Sequence, residues 1–387
     1  MTEWWRGPGT LSRRELLAWA AASGAGSFLA ACATTGSSSG PSVPPSGSAP
    51  ASVIDFPKLT REVKVKTIRS SAVSWLWAPV DVAVKQGYFK DEGIENENFS
   101  LGQGDNNPAL ISGAADFLLG APTSPMKAVA QGQDVIVVAG LVNKYASNVV
   151  VKKEFLQRAG ITRTSTFQQR ANVLRGLRIG TTGPAAAPDL LIRYICSKAG
   201  IDPERDLTLV PLQGAATGML AAIEKGQIDG FCLSSPTSDQ SNLYFGTDYL
   251  FNMVEDPVPG IETILYICVA AMKSYIERNP DIVAAYVRAL QRALNFIKTD
   301  KEGFKAIMAE LFKDSDPRVV ELGFAGNYPI YSRNTIPTRD DFTKNLEFLR
   351  ISLSTTGGNV ADLDRLSYEK VMDPRFGEAA LRAVGQS

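Results

Sequence analysis

The sequence predicts an α/β protein of two similar lobes. Three observations carry that reading. Strand-like and helix-like segments alternate along most of the chain, which favours sheets with parallel neighbours. One ordered set of short motifs occurs twice. The 387 residues are enough for two or three domains, and 44% hydrophobic with 21% charged residues is ordinary for a globular chain.

The first segment reads as an address. Ser12-Arg13-Arg14-Glu15-Leu16-Leu17 leads into an apolar stretch, Leu16 to Ala31, that ends Leu29-Ala30-Ala31-Cys32. A basic start, a short apolar core and small residues before a cleavage point make residues 1–31 a signal peptide. The stretch is short for a membrane span, and Ser23, Gly24, Gly26 and Ser27 dilute it, although an N-terminal anchor helix is the alternative. Ser12-Arg13-Arg14 resembles the twin-arginine export signal, with the general secretion route as the alternative. Leu29-Ala30-Ala31-Cys32 resembles the bacterial lipobox, which implies that Cys32 is lipidated and anchors the chain to a membrane. Residues 32–60 follow as a tether. Its stretch 33–50 is uncharged and mostly Ser, Gly and Pro, a composition that cannot bury a core.

Val63 to Ile68 alternates with period two and reads as a strand. Ala78-Pro79 opens a helix that stops at Gly87. Asn98 to Leu101 is a weaker strand, Leu110 to Ala115 a short helix, and Phe117-Leu118-Leu119 a strand. Lys127 to Gln131 is helical and Asp134 to Ala139 a buried strand.

After Asn148 the pattern restarts. Strands are expected at Leu177–Gly180, Leu207–Val210 and Ile228–Leu233, with helices at Asp189–Ala199 and Gly218–Lys225. Gln103-Gly104, Gly113-Ala114-Ala115-Asp116 and Pro122-Thr123-Ser124 recur in order as Gln213-Gly214, Gly226-Gln227-Ile228-Asp229 and Pro236-Thr237-Ser238. Glycine at helix ends and Thr/Ser at helix starts could also produce such echoes. Thr263 to Ala270 reads as a strand returning to the first lobe. Asn279-Pro280-Asp281 then caps a long helix with the stripe Ile282, Tyr286, Ala289, Leu290, Ala293 and Ile297. The later segments are mainly helical. These readings assign residues 61–146 and 256–387 to lobe 1 and residues 147–255 to lobe 2.

The 40 basic and 40 acidic side chains balance, so no basic excess exists to hold nucleic acid. The chain has no histidine, which removes imidazole zinc sites and Ser-His-Asp or Cys-His catalysis. Cys196, Cys232 and Cys268 form no Cys-x-x-Cys pair and read as buried thiols, with a Cys232–Cys268 bridge as the alternative. No metal and no cofactor is expected.

Gln86-Gly87-Tyr88-Phe89-Lys90-Asp91-Glu92-Gly93-Ile94 resembles a signature of the substrate-binding proteins of ABC importers, in particular the nitrate/sulfonate/taurine and thiamine-pyrimidine-precursor family. Leu174 to Gly180 and Glu224 to Gly230 resemble two further stretches of that family. The resemblance covers roughly residues 61–350. It implies a type II-like periplasmic-binding-protein fold, each lobe a mixed sheet flanked by helices with a ligand cleft between the lobes, closing on a small anionic or planar ligand. It also implies a monomer outside the cytoplasm that meets ABC permease subunits. Where many relatives carry Trp-Glu-Pro, this chain has Ser234-Ser235-Pro236.

Open α/β sheets bind ligands at the carboxyl ends of their strands. That rule picks Ser71, Trp75 and Trp77 after the first strand, then Gln103, Thr123 and Ser124, and Asn143. In the second lobe it picks Thr181, Thr182 and Gly183, Gln213, and Ser234 with Ser235. Thr181-Thr182-Gly183 lies where backbone N–H groups could meet an anion, or where Thr182 could simply cap a helix. Of Trp75 and Trp77, one is expected in the core and one in the cleft. The function expected is delivery of a small organic anion, such as a sulfonate or carboxylate, to an importer without chemistry. The rivals are a sensory or scaffold lipoprotein and a pyrimidine-synthesis enzyme. Relatives of the latter kind use a histidine that this chain lacks.

Overall fold

The computed structural model describes residues 55–102, 106–212, 215–355 and 360–386. The signal segment, Cys32, most of the tether, Gln103 and Gln213 lie outside them. Ten strands are described: β1 (Val63–Ile68), β2 (Ile94–Phe99), β3 (Phe117–Gly120), β4 (Val135–Val142), β5 (Ser147–Lys152), β6 (Arg178–Thr181), β7 (Thr208–Pro211), β8 (Gly230–Ser234), β9 (Thr247–Phe251) and β10 (Ile267–Met272). They form two five-stranded sheets, ordered β2-β1-β3-β10-β4 and β7-β6-β8-β5-β9.

Both sheets follow one plan. β1 is parallel to β2 and β3, and β10 runs antiparallel between β3 and β4. Likewise β6 is parallel to β7 and β8, and β5 runs antiparallel between β8 and β9. Each sheet thus receives its fourth strand from a chain segment that has just crossed over, through residues 143–146 in one direction and 252–266 in the other. The sheets are mixed, and the duplicated pattern is the same topology built twice.

Several elements differ from the sequence reading. β2 begins at Ile94, because Glu95 and Glu97 occupy an edge strand and mask its alternation. β5 and β9 were not expected. β5 is a buried inner strand whose apolar run is only Val149-Val150-Val151, too short to stand out. The run from Thr263 pairs in its sheet only from Ile267; before that, Ile264 and Tyr266 donate to the carbonyls of Asn143 and Val142.

The long helix Pro280–Thr299 holds the first sheet together. Its stripe is buried, Tyr286 stacks on Phe117 at 4.0 Å, and the Tyr286 hydroxyl bonds Thr67 at 2.9 Å. Arg288 on the same helix is buried against Glu92 at 2.9 Å. In the second sheet, Gly230 permits close strand approach: a Cβ there would stand 2.4 Å from the Val150 carbonyl oxygen. Cys196, Cys232 and Cys268 are buried free thiols, so no Cys232–Cys268 bridge forms. No helix among the described residues is long and apolar enough to cross a membrane.

Candidate functional site

The carboxyl ends of β1, β3, β6 and β8 surround a cavity of about 360 Å³ between the two sheets. Its first-lobe wall is the loop after β1. Arg69 at the end of that strand is buried and fixes the loop by donating to Asp81 at 2.7 Å and to the Ala72 carbonyl. Ser74 caps the short turn Trp75–Trp77, accepting from the Leu76 N–H at 3.3 Å.

That turn sends its two tryptophans different ways. Trp77 lines the cavity, with its indole N–H donating to Ser71 Oγ at 2.9 Å. Trp75 is fully buried on the other side, stacked on Phe312 at 5.2 Å and flanked by Phe304 and Phe324. Trp75 is therefore a core residue that does not line this cavity.

The second-lobe wall follows β6. The strand ends at Thr181 and the next helix, Ala187–Ala199, begins only after a loop. Thr182 caps nothing; Ala186 holds the cap position with no side-chain bond. Gly183 has φ +134° and Ala185 φ +57°, both in the left-handed half of backbone space. Three groups fix this loop. Asp189, itself paired with Arg193 at 2.9 Å, accepts the Ala185 N–H at 2.9 Å. Lys127, from the first-lobe helix Thr123–Ala130, donates to the Ala185 carbonyl at 2.7 Å. The Tyr145 hydroxyl donates to the Ala187 carbonyl.

Between the walls, Ser147 and Tyr266 share a 2.6 Å hydroxyl–hydroxyl bond, and Ser147 lies opposite Ser234 across β5 and β8. Burial pushes the Tyr266 phenol well up, so it stays a neutral donor and acceptor. Leu76, Leu118, Leu119, Leu233 and Ile267 supply the apolar surface. Among the described lining residues, Lys127 is the only charged side chain.

Of the residues the strand-end rule picked, Ser71, Trp77, Thr123, Ser124, Thr182, Gly183 and Ser234 line this cavity. Trp75, Asn143, Thr181 and Ser235 do not. Thr181 is 1% exposed within its sheet. Ser235 is turned away and donates to the buried carboxylate of Asp239, which the Tyr249 hydroxyl also meets. Asn143 is held by its backbone to Ile330 and Ile264, beside a second cavity of about 260 Å³. The sequence reading missed Ser74, Lys127, Ser147 and Tyr266. Lys127 was within reach of it: four positions after Thr123, it projects from the same helix face.

The family described as NMT1/THI5 like matches residues 77–303. The putative binding protein YtlA of Bacillus subtilis is 24% identical over 300 residues, covering 76% of this chain and 84% of that protein. The bicarbonate transport ATP-binding protein CmpC of Synechocystis is 29% identical over 168 residues, which is 41% of this chain and only 25% of that protein's length. Among solved structures, the alkanesulfonate-binding protein SsuA from Xanthomonas axonopodis pv. citri bound to MOPS is similar at TM-score 0.59 and 17% identity, covering 83% of this chain and 99% of that one. The shared architecture is the two-lobed periplasmic-binding-protein fold. With a family match over more than half its length and that fold around an interlobe cavity, the chain belongs to the NMT1/THI5-like family.

Proposed function

We propose that the protein is an extracytoplasmic, lipid-anchored solute-binding protein that captures a small organic anion between its lobes and delivers it to an ABC import system. The observation that carries this reading is the interlobe cavity, walled by both lobes and rich in neutral hydroxyl donors. Its volume, about 360 Å³, lies in the range of small-molecule sites and exceeds an inorganic ion severalfold. The apolar surface favours a ligand with a carbon body. The hydroxyls, the amides near Gly183 and the Lys127 ammonium favour an acidic head group.

Capture works through the two crossovers. Lobes joined by paired linkers hinge, and a ligand that touches both walls stabilises the closed arrangement by its extra contacts there. Among the described lining residues no carboxylate is present, the chain lacks histidine, and the Tyr266 proton is held tightly, which favours binding over acid–base chemistry. The name of CmpC supports transport as the setting, and that of SsuA supports an organic anion as the solute. The Leu29-Ala30-Ala31-Cys32 sequence supports the anchor.

A thermal-shift and calorimetry panel of alkanesulfonates, carboxylates, nitrate and pyrimidines tests the reading on the purified body. One organic-anion class should stabilise it, by about 2.7 kcal/mol at a hundredfold excess over Kd, and scattering should show compaction. Stabilisation by none of these classes overturns the reading. Cys32→Ser should release the protein from washed membranes; a variant that stays bound refutes the anchor.

A further inference from the structure

We infer that the helix Pro317–Asn327 is a strut between the lobes, and that Tyr244 and Asp316 at its far end are positioning residues for solute capture. They act from outside the cavity, through the turn Trp75–Trp77. The inference rests on the solute-binding reading and adds to it a mechanical link between the two walls.

The helix touches both lobes. Its carboxyl-terminal half packs on the first. A Cβ at Gly323 would stand 2.3 Å from the Trp75 indole nitrogen, and the Phe324 ring meets that indole edge-on at 6.2 Å. Its amino-terminal end reaches the second. Asp316 caps the helix by accepting the Arg318 N–H at 2.8 Å, and it also accepts the Tyr244 hydroxyl at 2.5 Å. Tyr244 ends the helix Thr237–Tyr244, which joins β8 to β9 in the second sheet. Arg318 completes the clasp, pairing with Asp316 at 2.7 Å and standing 5.8 Å over the Tyr244 ring. Arg318 first and the Tyr244 hydroxyl second hold the Asp316 carboxyl well below the usual carboxylate range. The acceptor therefore stays charged at neutral pH, and its bond from Tyr244 is charge-assisted.

Each end of this link begins at the cavity. In the first lobe, Asp316 follows closely on Phe312, which stacks on Trp75 at 5.2 Å. Trp75 is fully buried, and its carbonyl accepts the Tyr331 hydroxyl at 2.8 Å. Trp77, in the same turn, lines the cavity. In the second lobe, Ser234 lines the cavity at the end of β8, and the helix that carries Tyr244 opens directly after it. Asp239 fixes that helix by accepting the Ser235 and Tyr249 hydroxyls. Close-packed rings transmit a displacement instead of absorbing it, so a shift at Asp316 reaches the turn. Tyr244, Asp316 and Arg318 are not among the described residues that line the cavity. An effect of theirs on the turn or on a solute must therefore travel along this path.

The sequence supplies a reporter for the test. Its five tryptophans are Trp4, Trp5, Trp19, Trp75 and Trp77. A full-length parent with Trp4→Phe, Trp5→Phe and Trp19→Phe keeps only the two in the turn, and both are buried. In that parent, Tyr244→Phe removes the hydroxyl and keeps the ring, while Asp316→Asn keeps a good helix cap and discharges the acceptor. Arg339→Gln, which breaks an exposed first-lobe pair with Glu369, is the control. Circular dichroism first establishes that each variant is folded. Without any solute, Tyr244→Phe and Asp316→Asn should each raise acrylamide quenching of the turn by about twofold, the scale on which an exposed charged contact acts; Arg339→Gln should not. Calorimetry then uses 1-butanesulfonate, or the first solute of the wider panel that the parent binds. Both variants should bind it about threefold more weakly, and the double variant no more weakly than either, because all three break one contact. Quenching equal to the parent's in both variants, or an equal rise in Arg339→Gln, overturns the strut. Raised quenching with full affinity overturns the positioning role. Failure of the broader reading is distinct, because the parent itself would then bind no solute of the panel, while the quenching still decides the strut.

Discussion

Trp75→Ala separates a structural tryptophan from a ligand-stacking one. The indole is fully buried between Phe304, Phe312 and Phe324. A tryptophan buries roughly 150–250 Å², which at about 25 cal/mol per Å² corresponds to ~4–6 kcal/mol as an upper bound. Measured Trp→Ala losses in cores run about 3–5 kcal/mol. We therefore expect a loss near 4 kcal/mol, or a melting temperature lower by roughly 8 °C at the small shift per kcal/mol that large domains show. Trp75→Phe should cost much less, because it keeps a ring and removes an indole N–H that has no partner. Gly323 supplies an internal control. A Cβ there would stand 2.3 Å from the Trp75 indole nitrogen, so Gly323→Ala should cost about 1–3 kcal/mol by overpacking in the wild-type background. In Trp75→Ala the same methyl enters vacated space and should be close to neutral, giving a coupling of at least about 1 kcal/mol in the double-mutant cycle. Urea and thermal unfolding followed by circular dichroism measure the four proteins of the cycle and Trp75→Phe. A melting shift under about 2 °C for Trp75→Ala, or equal Gly323→Ala costs in both backgrounds, refutes the packing argument. A large loss of ligand affinity with stability intact would restore Trp75 to the cavity.

Three further outcomes are expected. Burial holds the Asp239 carboxyl above the ordinary value near 3.8, with the Ser235 and Tyr249 hydroxyls pulling it partly back. Its stabilising contribution is therefore full below the unfolded pKa and is lost as pH rises through the folded one, so Asp239→Asn should gain on wild type between pH 4 and pH 7; a stability difference flat with pH refutes this. Gly230→Ala pushes a Cβ to 2.4 Å from the Val150 carbonyl oxygen and 2.7 Å from Val151 Cγ1, and should cost about 3 kcal/mol in urea titration; a loss under about 1 kcal/mol refutes the close approach. Burial pushes the Cys196 thiol up to about 12 and raises Cys232 and Cys268 as well, so in the Cys32→Ser protein a thiol reagent at pH 8 should find none before unfolding and three after; fast reaction of any native thiol contradicts the burial.

Much of the architecture was legible because local pattern and burial agree. The stripe Ile282 to Ile297 follows a helical period, and that helix covers the first sheet as the period requires. Val63 to Ile68 was read to its ends, since it alternates and its neighbours break the pattern. β5 and β9 escaped because neither carries a long apolar run, and their burial comes from strands distant in sequence. A period records which face of a segment is apolar. It does not record that residues 147–152 fill an antiparallel slot between β8 and β9.

The cavity was legible to the level of loops and no further, for a geometric reason. The strand-end rule names the residues around a strand's end, where the pleat gives way to a loop whose side-chain directions no period fixes. One step therefore separates Thr182, which lines the cavity, from Thr181, which does not, and likewise Ser234 from Ser235. Trp75 and Trp77 stand two apart in a 3₁₀ turn, about 120° from each other around its axis, so only one of them can face the ligand space. Ser147 and Tyr266 lie further still from sequence reasoning, because each stands where a crossover joins a strand and they meet only when both crossovers are in place. Their meeting has a mechanical consequence. The 2.6 Å hydroxyl bond ties the start of β5 in the second lobe to the segment leading into β10 in the first, close to the points about which the lobes would turn.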